Sequence, residues 1–168
     1  MMISTAPIAV SLAVTACALV WAAVSDFRLY LIPNRISLII VAAFVFAACF
    51  MPISFLTGGV LTGLGVFAMA VFFFARGWMG GGDVKLLGAM ALWVGPSFLS
   101  PFAVGTCMSG AALGILMLSP LKRLMPLPSA DALSLAGGET AARQPMPFGV
   151  AIAIGGISVL ARYLPLLQ

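Results

Sequence analysis

An all-α membrane protein with about six transmembrane helices is the fold class this sequence predicts, and three observations predict it. The 168 residues are 63% hydrophobic and 7% charged, with a mean hydropathy of +1.22, whereas a soluble domain carries about 25% charged residues. The apolar residues run in long stretches that approach the roughly 20 residues needed for one span. The basic residues fall almost entirely on alternate connections between those stretches. The length fits a single transmembrane domain, 1–168, and no stretch is polar and long enough to build a separate soluble module. With a net charge of +4 spread over isolated basic residues, nucleic-acid binding is not expected, since it needs a clustered basic face.

The first predicted span covers about 6–24. Within it Val14-Thr15-Ala16-Cys17 looks like a lipoprotein cleavage box. No Lys or Arg precedes it, so the basic region of a secretory signal is missing and the stretch is read as a retained span. The second span, about 36–50, closes at Met51-Pro52, and the third covers about 55–75. The fourth, about 84–98, contains Gly95-Pro96, and the fifth covers about 102–118. The sixth covers about 148–164. Pro at Met51-Pro52 and Gly95-Pro96 fits a helix end, because it cannot continue the hydrogen-bond ladder. Small residues at spacing four, Gly59-Gly63 and Gly110-Gly114, suit close helix packing. The long polar stretch at 120–146 holds Pro126, Pro128, Gly137, Gly138 and Pro145 and is predicted to be a mobile loop. Asp131 and Glu139 lie in it and read as solvated charges.

Cys17, Cys49 and Cys107 are dispersed in apolar stretches and read as small hydrophobes in helix packing. Histidine is absent and no C-x-x-C pair occurs. The sequence therefore offers no ligand set for a metal, and no cofactor is expected.

Orientation follows from the excess of Lys and Arg on cytoplasmic connections. Arg28 and Arg35 follow the first span, Arg76 and Lys85 lie between the third and fourth, and Lys122, Arg123 and Arg143 lie between the fifth and sixth. Seven of the eight basic residues thus share one side, and Arg162 alone lies on the other. Both termini are expected outside, on the periplasmic side, with the loop at 120–146 in the cytoplasm.

Two of the four carboxylates, Asp26 and Asp83, sit at the edges of long apolar stretches. An ionisable group within a bilayer costs about 2.5–3.5 kcal/mol on insertion scales and marks a functional candidate. Charge placement puts both acids on the cytoplasmic side at similar depth. Two carboxylates held together cannot both ionise easily and titrate as a unit. Such a pair supplies a base to activate water and an acid to protonate a departing amine, as peptide hydrolysis requires. Gly80, Gly81 and Gly82 precede Asp83, removing side chains from the approach to the acid and allowing backbone conformations that other residues resist. The plainer reading makes them a turn, with Asp83 the N-cap of the fourth helix and Asp26 an interfacial charge balanced by Arg28. Lys85 points away from the Asp83 side chain on a helix, and its simplest role is a cytoplasmic anchor that snorkels toward lipid phosphates.

Gly80-Gly81-Gly82-Asp83 matches the G-x-G-D motif of intramembrane aspartyl proteases, and its continuation Val84-Lys85-Leu86-Leu87 resembles the form found in type IV prepilin peptidases. Asp26, followed after a short gap by Ile32-Pro33-Asn34, resembles that family's second signature. Pro147-Phe148-Gly149 resembles its proline-glycine motif at the last span. The three motifs occur in the family's order. The resemblance implies a bacterial inner-membrane protease that needs no cofactor, with Asp26 and Asp83 as the catalytic pair. It makes Gly80, Gly81, Gly82, Pro33, Asn34, Lys85, Pro147 and Gly149 candidates for the active-site loops and substrate binding. The implied partners are membrane lipids, pilus-assembly proteins and the substrates themselves. Those substrates are prepilins and pseudopilins, whose short basic leader is cut in the cytoplasm, usually after glycine. Larger family members begin with a further cytoplasmic region, often with a cysteine tetrad, associated with N-methylation. This chain opens on a span, resembles the small Flp or Tad type, and is not expected to methylate. Archaeal preflagellin peptidases are similar. The presenilin-like proteases share G-x-G-D but lack the Ile-Pro-Asn element.

A small proton- or cation-coupled transporter or channel subunit is the main rival reading, since acids in spans also serve ion binding and proton relay. It predicts acids near the bilayer midplane within broken helices, whereas both acids here lie at predicted edges. A pilus-assembly scaffold without catalysis is the second rival, and it leaves the two acids unexplained.

Overall fold

The computed structural model describes residues 5–119 and 147–167, so the predicted loop at 120–146 lies outside the described residues. Every regular element among the described residues is helical. The chain forms α1 (Thr5–Leu29), α2 (Asn34–Ala48), α3 (Ile53–Ala75), α4 (Gly81–Leu118), α5 (Phe148–Leu160) and a short 3₁₀ turn, Leu164–Leu167. By length and composition α1, α3 and α4 are able to cross a membrane. α2 and α5 are apolar but shorter, with 15 and 13 residues.

Among the described residues, proline stands just before three of the five α-helices. Pro33, Pro52 and Pro147 occupy the position just before α2, α3 and α5. There the fixed proline φ fits, and its missing N–H removes one of the donors that a helix start leaves unpaired.

The fourth and fifth predicted spans form a single element, α4, broken at Gly95. Gly95 has φ 55° and ψ −177°, a left-handed φ that glycine tolerates at low cost. Helix resumes at once at Pro96, where the first turn needs no N–H. The reversal therefore comes at Gly95, within the Gly95-Pro96 pair read as a helix end, and the arms are 81–94 and 96–118. The first arm packs on α3, so closely that a Cβ on Gly63 would lie 2.5 Å from a Leu92 methyl carbon. The second arm returns along α5: Ser109 donates to the Ala151 carbonyl at 3.2 Å, and Gly110 lies against the Phe148 ring. α5 is the most enclosed helix, with Gly156 wedged against Leu19 of α1 and Met90 of α4.

At the end of the bundle that holds the Gly95 break, Trp93 is fully buried and ringed by Phe44, Phe55 and Tyr163, with centroid separations of 5.9–6.5 Å. Its indole N–H donates to the Ile40 carbonyl at 3.2 Å. Its own carbonyl, two residues before the break, accepts the Tyr163 hydroxyl at 2.7 Å. Tyr163→Phe keeps the ring and removes the donor. It is expected to lower stability by about 1–3 kcal/mol, the cost of a buried polar group left unpaired. A denaturation midpoint in detergent reads this, and an unchanged midpoint would mean that the carbonyl finds another donor.

Candidate functional site

The C-terminus of α1 and the N-termini of α2, α4 and α5 gather at the opposite end. α1 continues past the apolar stretch through Leu29, so Asp26 lies within its last turns and is buried. The Asp26 carboxylate accepts the Gly149 N–H at 2.6 Å and that of Val150. Both are among the first N–H groups of α5 and stand at its positive dipole end, that of Val150 also donating to the Pro147 carbonyl at 3.3 Å. Asp26 is thus held by backbone across the bundle, not by Arg28 nearby in sequence.

The connection leaving α1 is tightly formed. Tyr30 takes φ 52°, a left-handed conformation that costs a non-glycine residue about 1–2 kcal/mol. Its N–H donates to the Asp26 carbonyl at 2.9 Å, and Ser25 Oγ donates to the Leu31 carbonyl at 2.7 Å. Burial, and then the charge of Asp26, hold the Tyr30 phenol above its ordinary range. The turn aims Ile32 inward, where it is buried.

Asp83 is not the N-cap of its helix. Gly80 is the cap and Asp83 the third helical residue; its carboxylate reaches back to the Gly80 N–H, as the third residue of a capping box does. The glycines before it serve space rather than conformation, because none of Gly80, Gly81 and Gly82 has a positive φ. A Cβ on Gly82 would lie 3.1 Å from Ile32 Cβ, and one on Gly80 would lie 3.2 Å from Asp83 Oδ2. At Gly81 the nearest atom, on the Phe74 ring, is at 3.5 Å, an ordinary contact. The first and third glycines are tight and the second is not, which is the G-x-G pattern stated in distances. The space beside Gly82 is taken by Ile32.

Ile32 also reaches the other acid. A Cβ on Gly149 would lie 2.7 Å from Ile32 Cδ1 and 2.8 Å from Asp26 Oδ2. One side chain therefore lies between the residue before Asp83 and the residue that binds Asp26. The two carboxyl groups are close enough to interact electrostatically.

Among the other candidates, Pro33 and Pro147 set the starts of α2 and α5. Asn34 Oδ1 accepts the Lys85 ammonium at 2.9 Å, so Lys85 ties α4 to α2, a more specific role than an anchor reaching for lipid. Ser25, Tyr30 and Ile32 belong to the site by geometry and escaped sequence reasoning. Ile32 had a signal, its place in Ile-Pro-Asn, but no indication of what it touches. Among the described residues no three His, Cys, Asp or Glu side chains gather where one metal ion would touch them all.

A bundle of apolar helices, with Asp26 and Asp83 at the same end, defines the class: a helical membrane protein. Residues 13–115 match the type IV leader peptidase family. That is more than half of the chain, and the chain belongs to this family. It is similar to the prepilin leader peptidase/N-methyltransferase of Bacillus subtilis (strain 168), with 28% identity over 141 residues. The alignment covers 83% of this chain and 50% of the relative, so the chain spans about half of that protein's length. No solved structure matches the chain.

Proposed function

We propose that this chain is a single transmembrane peptidase domain that removes the short basic leader from prepilins and pseudopilins, usually cutting after glycine, at the cytoplasmic face of the inner membrane. Asp26 and Asp83 share one proton. The ionised carboxyl takes a proton from water as the water oxygen attacks the scissile carbonyl carbon. The protonated carboxyl gives its proton to the amide nitrogen as the C–N bond breaks. One water is consumed, and the pair is left with one proton, ready to repeat. The Gly80–Gly82 segment, Pro33, Asn34, Lys85, Pro147 and Gly149 hold the two acids in register.

The observation that carries this reading is that Gly82, the residue before Asp83, and Gly149, which binds Asp26, both close on one Ile32 side chain, although the two acids are 57 positions apart in sequence (Asp26 to Asp83). Family membership supports the reaction class. The basic residues Arg28, Arg35, Arg76 and Lys85 cluster at the same end in sequence terms and support a cytoplasmic orientation. In this reading α1, α2, α3, the two arms of α4 and α5 make six crossings, with both termini outside.

Two measurements test the proposal. Protein purified in detergent is expected to cut a synthetic prepilin at the end of its leader, and intact substrate after prolonged incubation would refute the activity. With the three native cysteines replaced, Arg28→Cys and Arg76→Cys are expected to react with impermeant reagent only from the cytoplasmic side, and Arg162→Cys only from the other. All three positions are exposed. Labelling of Arg28→Cys and Arg76→Cys from opposite sides would overturn the topology.

A further inference from the structure

A positive φ occurs at three places among the described residues: Gly77 (68°), Gly95 (55°) and Tyr30 (52°). At the first two the chain uses glycine, which takes a positive φ at no steric cost. At the third it uses a tyrosine, whose Cβ crowds the following carbonyl oxygen. The turn itself does not ask for that residue, since glycine or asparagine ends a helix there more readily. A side chain persists in such a conformation only where its surroundings over-determine it. The Tyr30 ring therefore supplies something that the turn alone does not need.

Its neighbour is Asp26. Tyr30 lies four residues beyond that acid, and its N–H closes the last turn of α1 on the Asp26 carbonyl at 2.9 Å. Burial first, and then the charge of the Asp26 carboxylate, raise the phenol above its ordinary range, which puts the ring within the field of the acid. Past Asp26 the last turn of α1 faces outward: Phe27, Arg28 and Leu29 are all exposed. Tyr30 is the next residue to be even half-buried. Helix ends fray, and a turn with few buried contacts opens most easily. Yet this turn carries a carboxylate that must meet the Gly149 and Val150 N–H groups across the bundle.

We propose that Tyr30 is a positioning residue of the peptidase: its ring clamps the last turn of α1, so that the Asp26 carboxylate stays seated on the first N–H groups of α5. The effect on rate rests on the peptidase reading above, whereas the seating of Asp26 does not. The ring acts through Asp26 and touches no reacting atom. Displacing a catalytic carboxylate by about 1 Å costs on the order of 10² in rate, and a turn that frays part of the time loses less. The hydroxyl is not part of the clamp, because backbone N–H groups are what bind the Asp26 carboxylate.

Tyr30→Asn removes the ring and gives the turn a residue suited to it. The full-length variant in detergent is expected to keep or raise its denaturation midpoint. It should lose about tenfold in kcat on a prepilin substrate while KM stays within about twofold. Tyr30→Phe keeps the ring and is expected to retain at least about half of the wild-type kcat. Amide hydrogen exchange at Gly149 reads the seat directly: it should quicken about tenfold in Tyr30→Asn and stay at the wild-type rate in Tyr30→Phe. An unchanged kcat or unchanged exchange in Tyr30→Asn would overturn the proposal. So would an equal loss in both variants, which would assign the effect to the hydroxyl. A lowered midpoint in Tyr30→Asn, with KM rising as kcat falls, would also overturn it, by showing a residue that merely supports the fold. If wild-type protein cut no prepilin, the peptidase reading itself would fall, and exchange at Gly149 would still decide whether Tyr30 seats Asp26.

Discussion

Asp83→Asn is expected to reduce cleavage of a prepilin substrate by at least about 10²–10⁴-fold, the usual share of general acid–base catalysis. Asp26→Asn should do the same. The double variant should be little worse than either single one, because groups that act as one unit lose their function together. The two replacements differ in what they do to the fold. Asp83 takes one backbone N–H, from Gly80, which an Asn oxygen still accepts. Asp26 takes two, from Gly149 and Val150, and an Asn there sets its amide N–H₂ against one of them. Asp26→Asn is therefore expected to cost stability as well, about 1–3 kcal/mol, while Asp83→Asn leaves the denaturation midpoint nearly unchanged. Initial rates on the purified variants, read beside their midpoints, separate the two effects. Near-normal cleavage by either variant would end the paired-acid mechanism.

The sequence was most legible where one physical rule acts locally. Apolar length marked α1 and α3, Pro52 marked the close of α2, and Gly95-Pro96 marked a break. Hydropathy reports lipid contact, however, and not the helical ladder. α1 therefore runs five residues past the predicted edge at Val24, carrying Asp26 inside a helix. The fourth and fifth spans share one element because helix resumes immediately at Pro96. Charge placement set the two acids on one side, yet neither charge nor spacing reports contact. The contacts that gather the site join Ile32 to Gly82, Ile32 to Gly149 and Asp26 to Gly149. Each spans a long separation and leaves no periodic trace. Of the two uses the sequence offers for the glycines before Asp83, missing side chains and backbone freedom, the structure uses the first, at two of the three positions. Tyr30 gives no signal in the sequence, because a left-handed residue after a helix is usually glycine or asparagine.

Gly149→Ala should injure the site more than any other single methyl group, and the way it does so can be resolved. The added carbon would stand 2.7 Å from Ile32 Cδ1 and 2.8 Å from Asp26 Oδ2, so something must move. Overpacking of this kind costs about 1–3 kcal/mol. A carboxylate pushed by about 1 Å loses on the order of 10² in rate. Ile32 Cδ1 is the free end of a side chain and can yield. The Asp26 carboxylate is held by the N–H of residue 149 itself, so it cannot retreat without giving up that bond. Ile32→Val alone trims a well-packed group and is expected to destabilise by about 0.5–1.5 kcal/mol. Placed on Gly149→Ala, the same change removes the clashing methyl and should instead raise the denaturation midpoint, a coupling of opposite sign to its single effect. Cleavage should stay depressed in the double variant, because the contact with Asp26 remains. Full recovery of both stability and rate would show that Ile32 alone bears the strain and that Asp26 tolerates the displacement. Recovery of neither would show that Ile32 does not lie between the two halves of the site.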